Sequence, residues 1–139
     1  MRAFAPLLLL FACAVPEPSN REVSPTALEV QAVIDYAEAW KATLGAELGE
    51  PPPVRWFVGE CLRYDVEVEG ECPHGVYWDW WDGDEIHVLR RETMPETSLA
   101  HELLHWALNA TEGRPDDDHN RAEWLLVDEL ARVIPGHLD

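Results

Sequence analysis

The stretch PETSLAHELLHWALNA, residues 95–110, carries the apolar periodicity of an amphipathic helix. Its apolar positions are Leu99, Leu103, Leu104 and Leu108. Residues three and four apart share one face of a helix, so these leucines are expected to pack into a core. Thr97 or Ser98 is expected to cap the N terminus of the helix. The sequence therefore predicts a core-packed helix over this stretch.

The five residues HELLH, 101–105, combine the side chains that zinc-dependent hydrolysis requires. His101 and His105 stand four apart on one face, where both imidazoles can bind one zinc ion. Glu102 can reach a water on that ion, accept its proton and later pass the proton to a leaving amine. The alternative is a histidine pair on the surface of a core helix. The strand candidate just upstream and the surrounding leucines favour a metal site.

A second helix is predicted near the start of the chain. Residues 26–45, TALEVQAVIDYAEAWKATLG, place apolar side chains three and four apart. Ser24 or Thr26 is the expected cap, and Gly45 or Gly49 the expected end. The following EPPP cannot continue a helix.

Strands are predicted in the middle of the chain. VRWFVGECLRY (54–64) and DVEVE (65–69) are rich in β-branched and aromatic residues. GVYWDWW (75–81) and DEIHVLRR (84–91) flank a tight-turn signal at Asp82 and Gly83, which predicts a hairpin.

A loop, EGRPDDD (112–118), then precedes a final helix, HNRAEWLLVDELARVI (119–134). Trp124, Leu125 and Val127 are expected in its core-facing stripe, together with Leu130. The order of elements predicts one α+β domain with an N-terminal helix, a small, mainly antiparallel sheet, the HELLH helix and a C-terminal helix.

The first residues of the chain, MRAFAPLLLLFACAVPEPSN, have the pattern of an export signal. The apolar run is too short to span a membrane. Its end, LFAC, is similar to a bacterial lipobox, which implies lipidation of Cys13. The predicted organisation is a signal peptide at 1–12, a proline-rich tether at 13–25 and a domain at 26–139. An ordinary signal peptide, cleaved after residues 12–14 (ACA), is the alternative.

The cysteines agree with export. The chain has three. If Cys13 carries lipid, Cys61 and Cys72 remain as a pair, which an oxidising compartment would join. The alternative is two free, buried thiols.

The charge balance excludes some partners. The net charge is -17, spread along the chain of 139 residues. Such a surface repels nucleic acid and anionic lipid headgroups, so neither is expected as a ligand. The apolar fraction of 47% is ample for one folded core.

The segment around HELLH resembles the zincin metallopeptidases. In that family, an antiparallel strand at the edge of the cleft precedes the HExxH helix. The resemblance covers about Tyr77 to Leu130, and HELLH is its one specific motif. It implies a minimal zincin-like domain that binds one zinc ion and hydrolyses peptide bonds. It also implies that substrate backbone pairs with the strand EIHVL, residues 85–89.

A catalytic zinc ion takes three protein ligands and keeps one position for water. Zincins with the longer HExxHxxGxxH pattern do not match, because Leu108 and Thr111 stand at its glycine and histidine. His119 is the favoured third ligand, since the 13 residues after His105 can bring its imidazole back over the helix. The pattern of HELLH followed by DDDH and EW is similar to small exported bacterial HExxH proteins, which implies the same histidine.

Other assignments stay open for the site. Glu123 is the alternative third ligand, as in glutamate-liganded zincins, and one aspartate of residues 116–118 is another. His74, His87 and Tyr77 are candidates to stabilise an oxyanion, and no motif selects among them.

The sequence therefore predicts an exported, lipid-anchored and monomeric zinc metallopeptidase of the bacterial cell envelope. Its substrate would be a peptide or protein. The alternative function is a non-catalytic zinc-binding envelope lipoprotein that binds a partner. A third is a structural lipoprotein without metal.

Overall fold

A computed structural model describes residues 14–45, 47–68, 70–80, 83–90 and 97–133. The elements follow the chain as β1 (Glu22–Val23), α1 (Ala27–Leu44), β2 (Val54–Phe57), β3 (Gly75–Trp78), β4 (Glu85–Leu89), α2 (Thr97–Glu112), a 3-10 helix (Ala122–Leu126) and α3 (Val127–Val133). The predicted α+β class is confirmed.

Helix α1 begins and ends as its sequence predicts. The Thr26 hydroxyl accepts the backbone N–H of Glu29 at 3.1 Å, and the Glu29 carboxylate accepts the backbone N–H of Thr26 at 2.8 Å. This reciprocal pair is a capping box. Gly45 ends the helix with a left-handed φ of 63°, which glycine adopts without steric cost. Of the alternatives for the two ends, Thr26 and Gly45 are therefore the residues used.

The sheet is mixed and has the strand order β1-β2-β4-β3. Strand β4 pairs antiparallel with β3, which confirms the predicted hairpin, although Asp82 lies outside the described residues. Strand β4 also pairs with β2, and that central pairing is parallel. The expectation of a mainly antiparallel sheet therefore holds for the two outer pairings only.

The two faces of the sheet carry separate clusters, because alternate strand residues point in opposite directions. Trp56, Ile86 and Val88 pack against α1 and α2 in the main core. Phe57 and Leu89 face the other way and form a smaller cluster. Its further members are Leu62, Tyr64 and Val76.

The second face is covered by a loop that a disulfide closes. Cys61 and Cys72 are joined, with their Cα atoms 4.9 Å apart, as the cysteine count predicts. The prediction of a strand at 65–69 is wrong for its described part, since residues 65–68 are irregular. Val66 is 48% exposed. A strand in a half-buried sheet would bury its valines on one face, and the exposure of Val66 shows that this segment does not.

The described part of the predicted tether packs on the domain. Asn20 donates from its side-chain amide to the carbonyls of Val58 and Cys61, and it accepts the backbone N–H of Arg63. Glu22 then enters the sheet in β1, ahead of the boundary predicted at residue 26. The predicted signal peptide and Cys13 lie outside the described residues. Among the described helices, none is both long and apolar enough to cross a membrane.

The last helix begins later than its sequence suggests. His119 and Asp116 both have left-handed φ values, 55° and 58°, which end any helix at these positions. The Asp116 carboxylate accepts the backbone N–H of Arg121 at 2.9 Å. Aspartate side chains often compete with a helix in this way. His119 therefore lies in a loop, whereas its sequence predicted the first residue of the last helix.

Candidate metal centre

Helix α2 presents the first two histidines from a fixed position. Its leucines at 99, 103, 104 and 108 are fully buried, as their spacing predicts. The Trp40 indole of α1 donates to the carbonyl of Ala100 at 3.0 Å, which ties the helix to its neighbour. Thr97 and Ser98 lie within the helix, so neither is the predicted cap. Side chains on a packed helix hold their geometry better than those on loops.

Three imidazoles converge at the start of α2. The Nε2 atom of His101 lies 3.2 Å from Nε2 of His105 and 3.1 Å from Nε2 of His119. Among the described residues, these three histidines form the one group of histidine, cysteine or acidic side chains close enough to hold a metal ion. Two nitrogens bound to one tetrahedral zinc at about 2.05 Å are roughly 3.3 Å apart. The side chains therefore fit a three-histidine zinc site.

The protonation of the histidines also suits a metal. Nδ1 of His105 lies 2.7 Å from the carbonyl oxygen of Pro115, to which it donates its proton. That hydrogen bond leaves the lone pair on Nε2, where the other two rings meet. Burial, together with His105 and His119, lowers the pKa of His101 to about 4. His101 is therefore neutral at neutral pH and has a lone pair to give.

The alternative third ligands, Glu123 and the aspartates of residues 116–118, are outside the group of three histidines, although Asp117 lines the same cleft. The Glu123 carboxylate accepts a hydrogen bond from the Arg121 guanidinium at 3.0 Å and is outside the histidine group. Hydrogen bonds from the Trp124 indole and from backbone amides lower the pKa of Asp116. Its carboxylate is thus engaged outside the histidine group. The structure brings His119 to His101 and His105, as the favoured assignment predicts.

Glu102 points into the same cleft from beside His101. It is 7% exposed. A β-carbon built on Gly75 of β3 would lie 2.8 Å from Cγ and 3.1 Å from Oε1 of Glu102. Glycine at this position therefore leaves the space that the glutamate side chain occupies.

A cleft of about 390 Å³ opens over these groups. Besides the three histidines and Glu102, its lining comprises Glu67, Val68, Pro73, Gly75, Val76, Tyr77, Trp78 and Asp117. A second cavity of about 290 Å³ shares His101 and Glu102 and extends past His74, Thr97 and Asp128. The candidate site therefore has two cavities that share Gly75, His101 and Glu102.

The strand at the cleft edge is not the one that the zincin resemblance implied. Strand β4, residues 85–89, lies between β2 and β3, so its backbone is already paired on both sides. Strand β3 is the edge strand beside the cleft. The Leu89 N–H donates to the carbonyl of His74, and the alternating antiparallel pattern then turns the backbone groups of Gly75 and Tyr77 outward.

The three residues predicted as candidates to stabilise an oxyanion lie in different places in the structure. His87 is fully buried on the far face of the sheet and does not line the cleft. Tyr77 lines it and stacks on His105, with ring centroids 6.3 Å apart. Its hydroxyl donates to Asp84, and burial together with Asp84 raises the pKa of Tyr77. His74 lines the second cavity.

Two residues of the site, Trp124 and Gly75, could not be identified from the sequence. Trp124, expected as ordinary core, packs on all three histidine rings. Leu125, also expected in the core, is 85% exposed, because a 3-10 helix rather than an α-helix carries these residues. Neither the indole contact nor the role of Gly75 has a sequence signal, since both depend on packing between distant segments.

Comparison of the chain with protein families, with curated proteins and with solved structures found no match.

Proposed function

We propose that this protein is a zinc-dependent peptide hydrolase, a lipid-anchored metallopeptidase of the bacterial cell envelope similar to a minimal zincin. The observation that carries the proposal is the convergence of the His101, His105 and His119 Nε2 atoms beside Glu102. Zinc sites with three protein ligands leave a position for water, and such sites are catalytic. A purely structural zinc site has four protein ligands and no use for a carboxylate base.

Different residues of the chain have different roles in the proposed hydrolysis. A zinc ion held by the three histidines would acidify a water molecule and polarise the carbonyl of the scissile bond. Glu102 accepts the proton of the attacking water and returns it to the leaving amine. The buried setting of Glu102 strengthens its electrostatic interactions with reacting groups. Pro115 holds His105 in the tautomer that binds metal.

The substrate binds in an extended conformation along β3 in this proposal. The outward N–H and C=O groups of Gly75 and Tyr77 offer hydrogen bonds to a peptide backbone. The cleft and the second cavity lie along this edge and offer space for side chains on both sides of the scissile bond. The edge strand of the zincin pattern is therefore assigned to β3 instead of β4.

Zinc content and hydrolysis, measured on three variants, test the proposal. The parent is expected to hold about one zinc per chain, and His119→Ala should hold far less. His74→Ala, which changes a histidine outside the triad, is the matched control and should keep its zinc. Glu102→Gln should also keep zinc but lose hydrolysis of peptides, because it cannot accept a proton.

The same experiment separates the alternatives. Zinc without hydrolysis in the parent would favour the non-catalytic binding lipoprotein. Absence of zinc from the parent after exposure at neutral pH would remove the metal proposal altogether.

The lipid anchor is tested separately. Cys13→Ser is expected to abolish incorporation of labelled fatty acid and to release the protein from the membrane fraction.

A further inference from the structure

Trp124 occupies a defined position relative to the histidine triad. Its ring centroid lies 4.7 Å from that of His101, 4.6 Å from that of His105 and 4.4 Å from that of His119. The three imidazole centroids are 4.9 to 5.0 Å from one another. A point nearly equidistant from three corners of a triangle lies close to the axis through its centre. The indole therefore covers one side of the triangle of ligands.

The other side of the triangle faces the cleft. Trp124 packs against the main core and is absent from the residues that line the cleft, whereas all three histidines and Glu102 line it. An apolar ring on the inner side leaves the outer side for water and substrate. The open position of the proposed metal site is thus directed toward Glu102.

Asp116 connects the indole to the loop that carries the third ligand. One carboxylate oxygen of Asp116 accepts the indole N–H of Trp124 at 2.8 Å and the backbone N–H of Arg121 at 2.9 Å. The backbone carbonyl of Asp116 accepts the N–H of His119 at 2.9 Å. The loop histidine is exposed and has a left-handed φ of 55°, so no helix holds it in place.

We propose that Trp124 and Asp116 are a pair of positioning residues that set the third ligand, His119, and close the inner side of the metal site. The inference rests on the proposed zinc centre. Groups that orient metal ligands typically contribute 10- to 100-fold to metal affinity. The hydrogen bond between them places the indole, and the indole ring packs against the three imidazoles.

The test measures the zinc affinity of the full chain by competition with a chelator. Trp124→Phe keeps an aromatic ring but removes the N–H, and Asp116→Gly removes the carboxylate while tolerating the positive φ. Each should bind zinc about 10- to 100-fold more weakly. Asp116→Asn, which retains an acceptor oxygen and also tolerates this φ, should recover most of the affinity. The double variant should lose little more than Asp116→Gly alone, because both changes break the same hydrogen bond.

Asp118→Gly is the matched control for Asp116→Gly, because Asp118 is an exposed aspartate of the same loop. Leu125→Ala is the control for Trp124→Phe, because Leu125 is the exposed residue that follows Trp124. Both should bind zinc like the parent. The visible spectrum of the Co²⁺-loaded protein reports the coordination of the metal and does not depend on the stability of the fold. The parent should show a four-coordinate spectrum, and the two weakened variants a shift toward higher coordination. Thermal unfolding of the metal-free variants reports any loss of fold separately.

Parent-like zinc affinity in Trp124→Phe and Asp116→Gly would overturn the positioning role while leaving the zinc centre in place. An equal loss in Asp118→Gly would overturn it too, because the effect would then belong to the loop at large. Absence of zinc from the parent would overturn both the proposed function and this inference.

Discussion

Gly75 lies directly against the side chain of Glu102. A β-carbon at residue 75 would come within 2.8 Å of Cγ of the glutamate, closer than such atoms approach in proteins. The edge strand of the sheet and the proposed catalytic base are thus packed without room for one more methyl group.

Gly75→Ala is therefore expected to displace Glu102 and lower kcat/KM by roughly 10- to 100-fold, since a displacement near 1 Å has effects of this size. Zinc content should stay unchanged, because the three atoms nearest the new methyl group all belong to Glu102 and none to a histidine. Kinetics on the peptide that the parent cleaves best, with zinc analysis alongside, check this. Parent-like kinetics would show that the glutamate relaxes without cost.

His87 makes the stability of the fold depend on pH. It is fully buried, and its Nδ1 accepts hydrogen bonds from the Trp78 indole and the Tyr64 hydroxyl. Its Nε2 donates to the Glu85 carboxylate at 2.7 Å. The ring is thus held neutral, and burial lowers the pKa of His87 despite the opposing effects of Glu85 and Glu17.

A lowered pKa means that the unfolded chain binds a proton more readily than the folded one. The stabilisation is fully present above the unfolded pKa of about 6.5 and is lost as pH falls toward the folded pKa. Urea unfolding of the metal-free protein should show a smaller free energy at pH 5.5 than at pH 7. His87→Gln should have a shallower dependence, and the control His74→Gln should match the parent. Equal slopes in all three proteins would contradict the prediction.

The disulfide stabilises the wall of the cleft. Cys61 and Cys72 close the loop that carries Glu67 and Val68, and both of these residues line the cleft. Replacing both cysteines with serine should lower the free energy of unfolding by about 2–3 kcal/mol, as expected for a loop of this size. Urea unfolding with and without reductant measures this. Reductant should weaken the parent and leave the double variant unchanged, and an unaffected parent would rule out the stabilising role.

The cleft should favour basic substrates. Glu67 and Asp117 line it, and no lysine or arginine is found among its described lining residues. Peptides with lysine or arginine near the scissile bond should be cleaved faster than acidic ones, more so at low salt. Glu67→Gln and Asp117→Asn should each reduce that preference by about two- to fivefold, the value of an exposed charge pair. Glu47→Gln, an exposed charge outside the lining, is the control, and an equal change in it would point to net charge alone.

Local interactions account for what could be predicted from the sequence. The capping box of Thr26 and Glu29, the stop at Gly45 and the leucine faces of α2 each depend on residues within about four positions of one another. The spacing of His101 and His105 belongs to the same class, because a helix alone brings residues four apart together. The hairpin of β3 and β4 was also predictable, since its turn signal lies between adjacent strands.

Only the tertiary structure decided the rest. His119 reaches the other histidines from a loop, where its left-handed φ keeps it out of the expected helix, and Glu123 is paired with Arg121. The parallel pairing of β2 with β4 moved the edge of the sheet to β3, and packing between distant segments placed Gly75 on Glu102 and Trp124 on the triad. Periodicity and capping rules describe neighbours along the chain. They carry no information on which surfaces meet once helices and strands pack together.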